Sequence, residues 1–227
     1  MTPLAAPLLF LLTALAACAT DSRPLLPKLD AATTAQDAHC QAVYPRGDWQ
    51  FVHSIDFSMA DGSGSTVIGV TNLTETTLTC VLMTLEGLTL FEAVYRHDKG
   101  LHVQRAVPPF DKPAFAQGLL EDVRAIFSPP PAAAMLYGFL ADRVPACRYS
   151  GNNGRTTDIL PTKDGCWQIR TYTPEHTLER SITGHSCRKE GDNLIPEYLE
   201  LKGFGQNGYT LKMTLIHADN LKENTQP

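Results

Sequence analysis

Residues 49–59 read Trp-Gln-Phe-Val-His-Ser-Ile-Asp-Phe-Ser-Met, and they limit the fold more than any other stretch of the chain. Trp49, Phe51, His53, Ile55, Phe57 and Met59 recur at every second position, with Gln50, Ser54, Asp56 and Ser58 between them. Side chains alternate across an extended chain, so this period writes one apolar and one polar face on a half-buried strand. Such a strand needs neighbours, and the sequence supplies them. "ADGSGS" at 60–65 turns the chain, and Val67–Leu73, Thr77–Leu85, Leu88–His97 and Leu101–Ala106 follow as further strands. Asp98-Lys99-Gly100 separates the last two, so the run predicts an antiparallel meander.

The centre of the chain changes period. Asp111 is placed to cap a helix and Pro113 is tolerated in its first turn. Phe115, Leu119, Val123, Ile126 and Phe127 then recur at helical spacing. Ser128-Pro129-Pro130-Pro131 stops that helix, since proline lacks the donor and clashes with the preceding turn. A second short helix is expected over Ala132–Asp142. Strands return at Thr156–Leu160, Trp167–Tyr172 and Thr177–Thr183, then a charged loop at Ser186–Leu194. A closing hairpin, Tyr198–Phe204 and Tyr209–His217, turns at Asn207-Gly208. The fold class is therefore mainly β with inserted helices (α+β): a curved antiparallel half-barrel of about 9–11 strands. A helical lid would cover its open face and leave an apolar cavity beneath. Trp49, Phe51, Ile55, Phe57, Phe115, Leu119, Val123 and Trp167 are the candidates to line that cavity; the alternative for each is ordinary core.

The first 20 residues carry no charged side chain. Leu4 to Ala17 is apolar apart from Thr13, and as a helix it would reach about 21 Å, short of a roughly 30 Å hydrocarbon core. It fits a secretory h-region better than a membrane span. Leu15-Ala16-Ala17-Cys18 resembles the bacterial lipoprotein signal. That resemblance implies cleavage after residue 17 and a covalent N-acyl diacylglycerol on Cys18 in place of any cofactor. Without an aspartate after the cysteine, it also implies sorting to the periplasmic face of the outer membrane. Residues 18–44 then read as a lipidated tether with a short N-terminal helix from Asp30 to Cys40, 45–220 as the domain and 221–227 as a tail.

A net charge of −5, with acids and bases mixed along the chain, argues against nucleic acid as a partner. Five cysteines besides Cys18 (Cys40, Cys80, Cys147, Cys166 and Cys187) leave at least one thiol unpaired, and one bridge is expected among the last three. Neither these nor the histidines show paired zinc-ligand spacing, so no metal site is assigned. His97 and His102 flank a turn. Gly184-His185-Ser186-Cys187 lacks the closing glycine of a nucleophile elbow. No catalytic residue is assigned, and the chain reads as a binding protein rather than an enzyme.

Three stretches carry a family resemblance. Asp164-Gly165-Cys166-Trp167-Gln168-Ile169, Ile195-Pro196-Glu197-Tyr198-Leu199-Glu200-Leu201 with the alternating strand after it, and Met83–Asp98 occur in an order that resembles the LolA/LolB lipoprotein-carrier superfamily. More narrowly, they resemble a LolB-like outer-membrane lipoprotein family encountered with aryl polyene biosynthesis genes. The resemblance implies an incomplete barrel that receives acyl chains or a lipid-linked molecule without catalysis. Its implied partners are outer-membrane lipid, an acylated ligand and a periplasmic LolA-like carrier. It also makes Leu85 the candidate membrane-insertion residue, although Glu86 sits where the family has a small turn.

Overall fold

The strand expected at 49–59 lies in the middle of a thirteen-stranded sheet. The computed structural model describes residues 23–32, 40, 42–131, 134–205 and 208–221. Cys18 and the signal segment lie outside them. The strands are β1 (Asp30–Ala31), β2 (Trp49–Met59), β3 (Gly64–Leu73), β4 (Thr77–Met83), β5 (Thr89–Arg96), β6 (Gly100–Ala106) and β7 (Ala134–Phe139). They continue with β8 (Pro145–Ser150), β9 (Thr156–Pro161), β10 (Trp167–Tyr172), β11 (Leu178–Glu190), β12 (Asn193–Gly203) and β13 (Tyr209–Asn220). One helix, α1 (Pro113–Phe127), is inserted between β6 and β7.

All neighbours are antiparallel, in the order β1-β7-β8-β9-β10-β11-β12-β13-β2-β3-β4-β5-β6. The N-terminal meander and the C-terminal strands are joined where β2 pairs with β13, from Tyr209↔Met59 to Asn220↔Trp49. The sheet is curved and unclosed, with β1 and β6 as its two ends. Because every connection is a hairpin or a return across the sheet, the turns fall on two rims. Turns 60–63, 84–88, 151–155, 173–177 and 204–208 share the first rim; 74–76, 97–99, 140–144, 162–166 and 191–192 share the second.

Several expectations are corrected. The described residues form thirteen strands, not 9–11, and within the second helix expected at Ala132–Asp142 they form strand β7 at Ala134–Phe139, followed by a single 3-10 turn at Ala141–Arg143. Pairing with β8 on one side and Asp30–Ala31 on the other holds this segment extended, against a helix weakened by Gly138. Gly138 also lets β1 approach closely: a Cβ there would lie 2.5 Å from the Asp30 carbonyl oxygen. The charged stretch Ser186–Leu194 is not a loop but the tip of a long hairpin, closed by the two-residue turn Gly191-Asp192. Of the short helix expected over Asp30–Cys40, Asp30–Ala31 form β1 and Cys40 is helical, while residues 33–39 lie outside the described residues. In α1 the residue before the first turn is Lys112, and no side chain caps it, so Asp111 does not act as expected.

Helix α1 packs against one face of the sheet. Leu120, Val123, Ile126 and Phe127 are buried against the sheet, each stabilising the fold by about 2 kcal/mol. One charged residue, Asp122, shares that buried face. Arg180 Nε lies 2.8 Å from Asp122 Oδ1, and Tyr209 donates its hydroxyl to the same carboxylate at 2.7 Å. Tyr209 reaches it because its ring lies across Gly203, its cross-strand partner, where no Cβ stands in the way. Burial pushes the Asp122 carboxyl above the ordinary aspartate range, against the opposing pull of Arg180. The trio ties α1 to β11 and β13.

Two disulfides staple the described residues, one across a long loop and one within the last third of the chain. Cys166–Cys187 meets the expectation of a bridge within the last three cysteines, while Cys147 pairs with Cys40, 107 residues away. Cys80 is free and buried, and burial pushes its thiol up to about 12, so it stays protonated and unreactive.

Candidate functional site

The stripe on β2 and the apolar face of α1 meet as expected, but they meet without much space. Trp49, Phe51 and Phe127 stack in series, with centroids 5.5 and 5.0 Å apart. Phe91, Phe115 and Phe110 form an edge-to-face group at the other end of the helix. The voids beside these groups are about 10 Å³ each, room for about one water molecule and far too little for an acyl chain. Trp49, Phe51, Ile55 and Val123 are therefore core residues, and Phe115 and Leu119 are half-buried at its margin. Phe57 is half-exposed towards the first rim.

The open space lies elsewhere, under β7–β10. An apolar pocket of about 360 Å³ opens at the second rim between residues 40–43 and the strands. Val43, Tyr137, Ile159, Leu160, Trp167 and Leu194 line it, together with three half-cystines, Cys40, Cys147 and Cys166. Of the residues expected to line a cavity, Trp167 does so. A polar groove of about 410 Å³ lies towards the first rim, between the C-terminal half of α1, prolines 129–131 and turn 151–155. Tyr44 borders that groove and Val43 borders the pocket, so one short segment stands between the two spaces. Sequence reading missed this segment because "QAVYPRGD" has no periodic pattern; the signal was Cys40, whose partner fixes where it lies.

His53 belongs to the filled part. Its ring lies beside both Phe51 and Phe127, and the residue is 2 % exposed. Burial lowers its pKa to about 4. The unfolded chain, with an ordinary histidine pKa near 6.5, therefore binds the extra proton more readily than the folded one does. Stability is fully present above about 6.5 and is lost as pH falls from there towards 4, by a total on the order of 3 kcal/mol. Chemical denaturation between pH 7 and 4 should show that loss, and His53→Leu should flatten it.

The remaining described histidines form no such environment. His97, within turn 97–99, and His102, on the strand after it, are exposed. His185 Nδ1 is 3.8 Å from Asp164 Oδ2, both near half exposure. Cys187 is a half-cystine within β11, so the segment Gly184–Cys187 is strand and not a nucleophile turn. No group of three or more His, Cys, Asp or Glu among the described residues is arranged to hold a metal ion. Leu85 and Leu88, on turn 84–88, are 65 % and 58 % exposed.

No protein-family model matches the sequence, and no curated protein is similar to it in sequence. Solved structures do match the fold. A LolA superfamily protein from Nitrosomonas europaea superposes with a TM-score of 0.54 over 86 % of this chain and 99 % of that one, at 9 % identity. A domain from Vibrio parahaemolyticus, named for outer membrane lipoprotein sorting, superposes with a TM-score of 0.52 over 82 % of this chain and 90 % of that one, at 10 % identity. At such identities the likeness is one of fold: the half-barrel expected from the strand pattern and short motifs is a LolA-like sheet.

Proposed function

We propose that this chain, on its LolA-like fold, is an envelope lipoprotein that binds an acyl chain or a lipid-linked molecule. The observation that carries the reading is the apolar pocket of about 360 Å³ beneath β7–β10, on a sheet whose structural neighbours include a lipoprotein-sorting domain. A pocket walled by Val43, Ile159, Leu160, Trp167 and Leu194 offers few polar partners, so its natural occupant is aliphatic. Each CH₂ transferred into it would contribute about 0.8 kcal/mol. In this reading Cys18 carries the acyl anchor and the protein faces the periplasm from the outer membrane. Leu85 and Leu88 are set to touch lipid. Outer-membrane lipid, the acylated ligand and a periplasmic LolA-like carrier are the partners.

Native mass spectrometry of the protein after exposure to phospholipid is expected to show one bound amphiphile. Ile159→Trp, which fills the pocket from its sheet wall, should remove that adduct while leaving the melting temperature close to the parent's. A wild-type chain that carries no amphiphile under any condition sinks the reading. A second reading has its own observation: the filled core around Phe51 and Phe91 suits a protein that serves as a rigid interaction module. Loss of binding in Ile159→Trp separates the two, because a rigid module has no use for the pocket.

A further inference from the structure

The stretch expected to be a free spacer joins the sheet well before its end. Residues 23–31 cross the outer face of β8–β10 as a strap. At the first rim, Leu178 donates its backbone N–H to the Pro24 carbonyl, Leu26 donates to the His176 carbonyl, and Leu25 bridges Thr177. Midway, Arg148 Nη2 donates to the Pro27 carbonyl at 2.9 Å. Beyond it, β1 pairs Asp30 with Phe139 and Ala31 with Gly138. β9 shows the effect: Thr156, Thr157, Asp158, Ile159 and Leu160 are all buried, so both of its faces are covered.

The strap therefore fixes where the chain enters the domain, at Pro24 beside turn 173–177. Only five residues separate Pro24 from Cys18, and the six steps between them reach about 22 Å even when fully extended. The same rim gathers exposed apolar side chains. Leu25, Leu85 and Leu88, at 69 %, 65 % and 58 %, are the three most exposed large apolar residues among those described. All three stand at turns of the first rim or at the strap's contact with it. The apolar pocket opens at the other rim, beside Pro145, Pro161 and Gly165. Along β10 the rims are about 17 Å apart at least.

We infer that the strap holds the rim carrying Leu25, Leu85 and Leu88 against the leaflet that anchors Cys18, and turns the mouth of the apolar pocket away from that leaflet. The inference rests on acylation of Cys18, the anchoring part of the function proposed above. The occupant of the leucine rim is a lipid surface, because the short chain between anchor and strap keeps this rim within about 22 Å of the leaflet and its exposed side chains at Leu25, Leu85 and Leu88 are apolar. An acyl ligand then enters the pocket from the side facing away from the bilayer, and does not slide in laterally from the anchoring leaflet.

The test uses the full chain, exported with its own signal and reconstituted into phosphatidylethanolamine–phosphatidylglycerol vesicles containing a headgroup-region quencher. An environment-sensitive fluorophore is attached at Glu175→Cys on turn 173–177 or at Lys163→Cys on turn 162–166, without reductant. Quenching several-fold stronger at 175 than at 163 is expected, and equal quenching, or stronger quenching at 163, overturns the orientation. Inserting a long Gly-Ser segment between Ala19 and Thr20 should bring the ratio towards one; an unchanged ratio overturns the role given to the strap. Intact mass reports acylation separately. A chain without acyl mass means that the anchoring reading has failed, whereas an acylated chain with equal quenching means that this inference has.

Discussion

A chain carrying Cys40→Ser and Cys147→Ser is expected to lose about 4–5 kcal/mol of stability, the largest effect of any substitution considered for this fold. The bridge closes a loop across a sequence separation of 107 residues, and the entropy that a cross-link removes from the unfolded chain grows with loop length. The loop contains β2–β6, α1 and β7, so the unfolded state loses freedom over nearly half the molecule. The cost has a local component as well. Cys40 holds residues 40–44 between the apolar pocket and the polar groove, and Val43 and Tyr44 are buried there at 4 % exposure each. Without the bridge, this segment still has its packing, the Leu194–Ala42 backbone bond and the bond from the Arg46 backbone N–H to Asn193 Oδ1. Denaturant unfolding should show the full loss, and the melting temperature should fall by about 10 °C or more for a domain of this size. The double serine variant is also expected to bind amphiphile more loosely or in larger number, because the wall between two spaces has been freed. Unchanged stability would mean that Cys40 does not pair with Cys147.

The second large effect is expected at Asp158. Its carboxylate is fully buried and accepts two bonds from Arg148, from Nε and Nη2, at 2.7 Å each. The same guanidinium donates to the Pro27 carbonyl, so a charged pair beneath the strap is bonded to the strap itself. A buried pair of this geometry adds little over a well-packed apolar replacement, but removing one partner leaves a charge without compensation. Asp158→Ala is therefore expected to cost about 3–5 kcal/mol, and Arg148→Met with Asp158→Leu distinctly less. A double-mutant cycle read by chemical denaturation checks both figures. Hydrogen exchange supplies the second readout: in Asp158→Ala the amides of Leu26 and Ala32 should lose protection before those of β12 do.

How much of this was legible depended on whether a pattern was local. The period of two at 49–59, the hairpins that follow and the proline stop at 129–131 are statements about neighbouring residues, and the structure repeats them with shifts of one to three positions. β7 was not legible, because "AMLYGF" has no period of its own and becomes a strand only through β8 on one side and Asp30–Ala31 on the other. The hairpin tip at 186–194 was hidden for a different reason. Charged side chains there point into solvent on both faces, and the strand is held by Cys166–Cys187 and the turn at Gly191. Of the expected cavity wall, Trp167 alone lines the apolar pocket. Trp49, Phe51 and Ile55 had the right face but the wrong neighbour, since α1 fills the space above them. An alternating strand shows which side is buried; it carries no information about whether a helix or a ligand does the burying.

The two ends of the sheet bring one further consequence. In a closed barrel the radius is set by strand number and shear, and the interior cannot swell unless a ladder breaks. Here β1 and β6 never meet, so no such equation binds the radius. A slight change of twist shared among twelve strand pairings can flatten the arc and widen the space above it while every pairing keeps its register. The interior volume of this protein is therefore a variable of its curvature, adjustable at the cost of side-chain contacts alone.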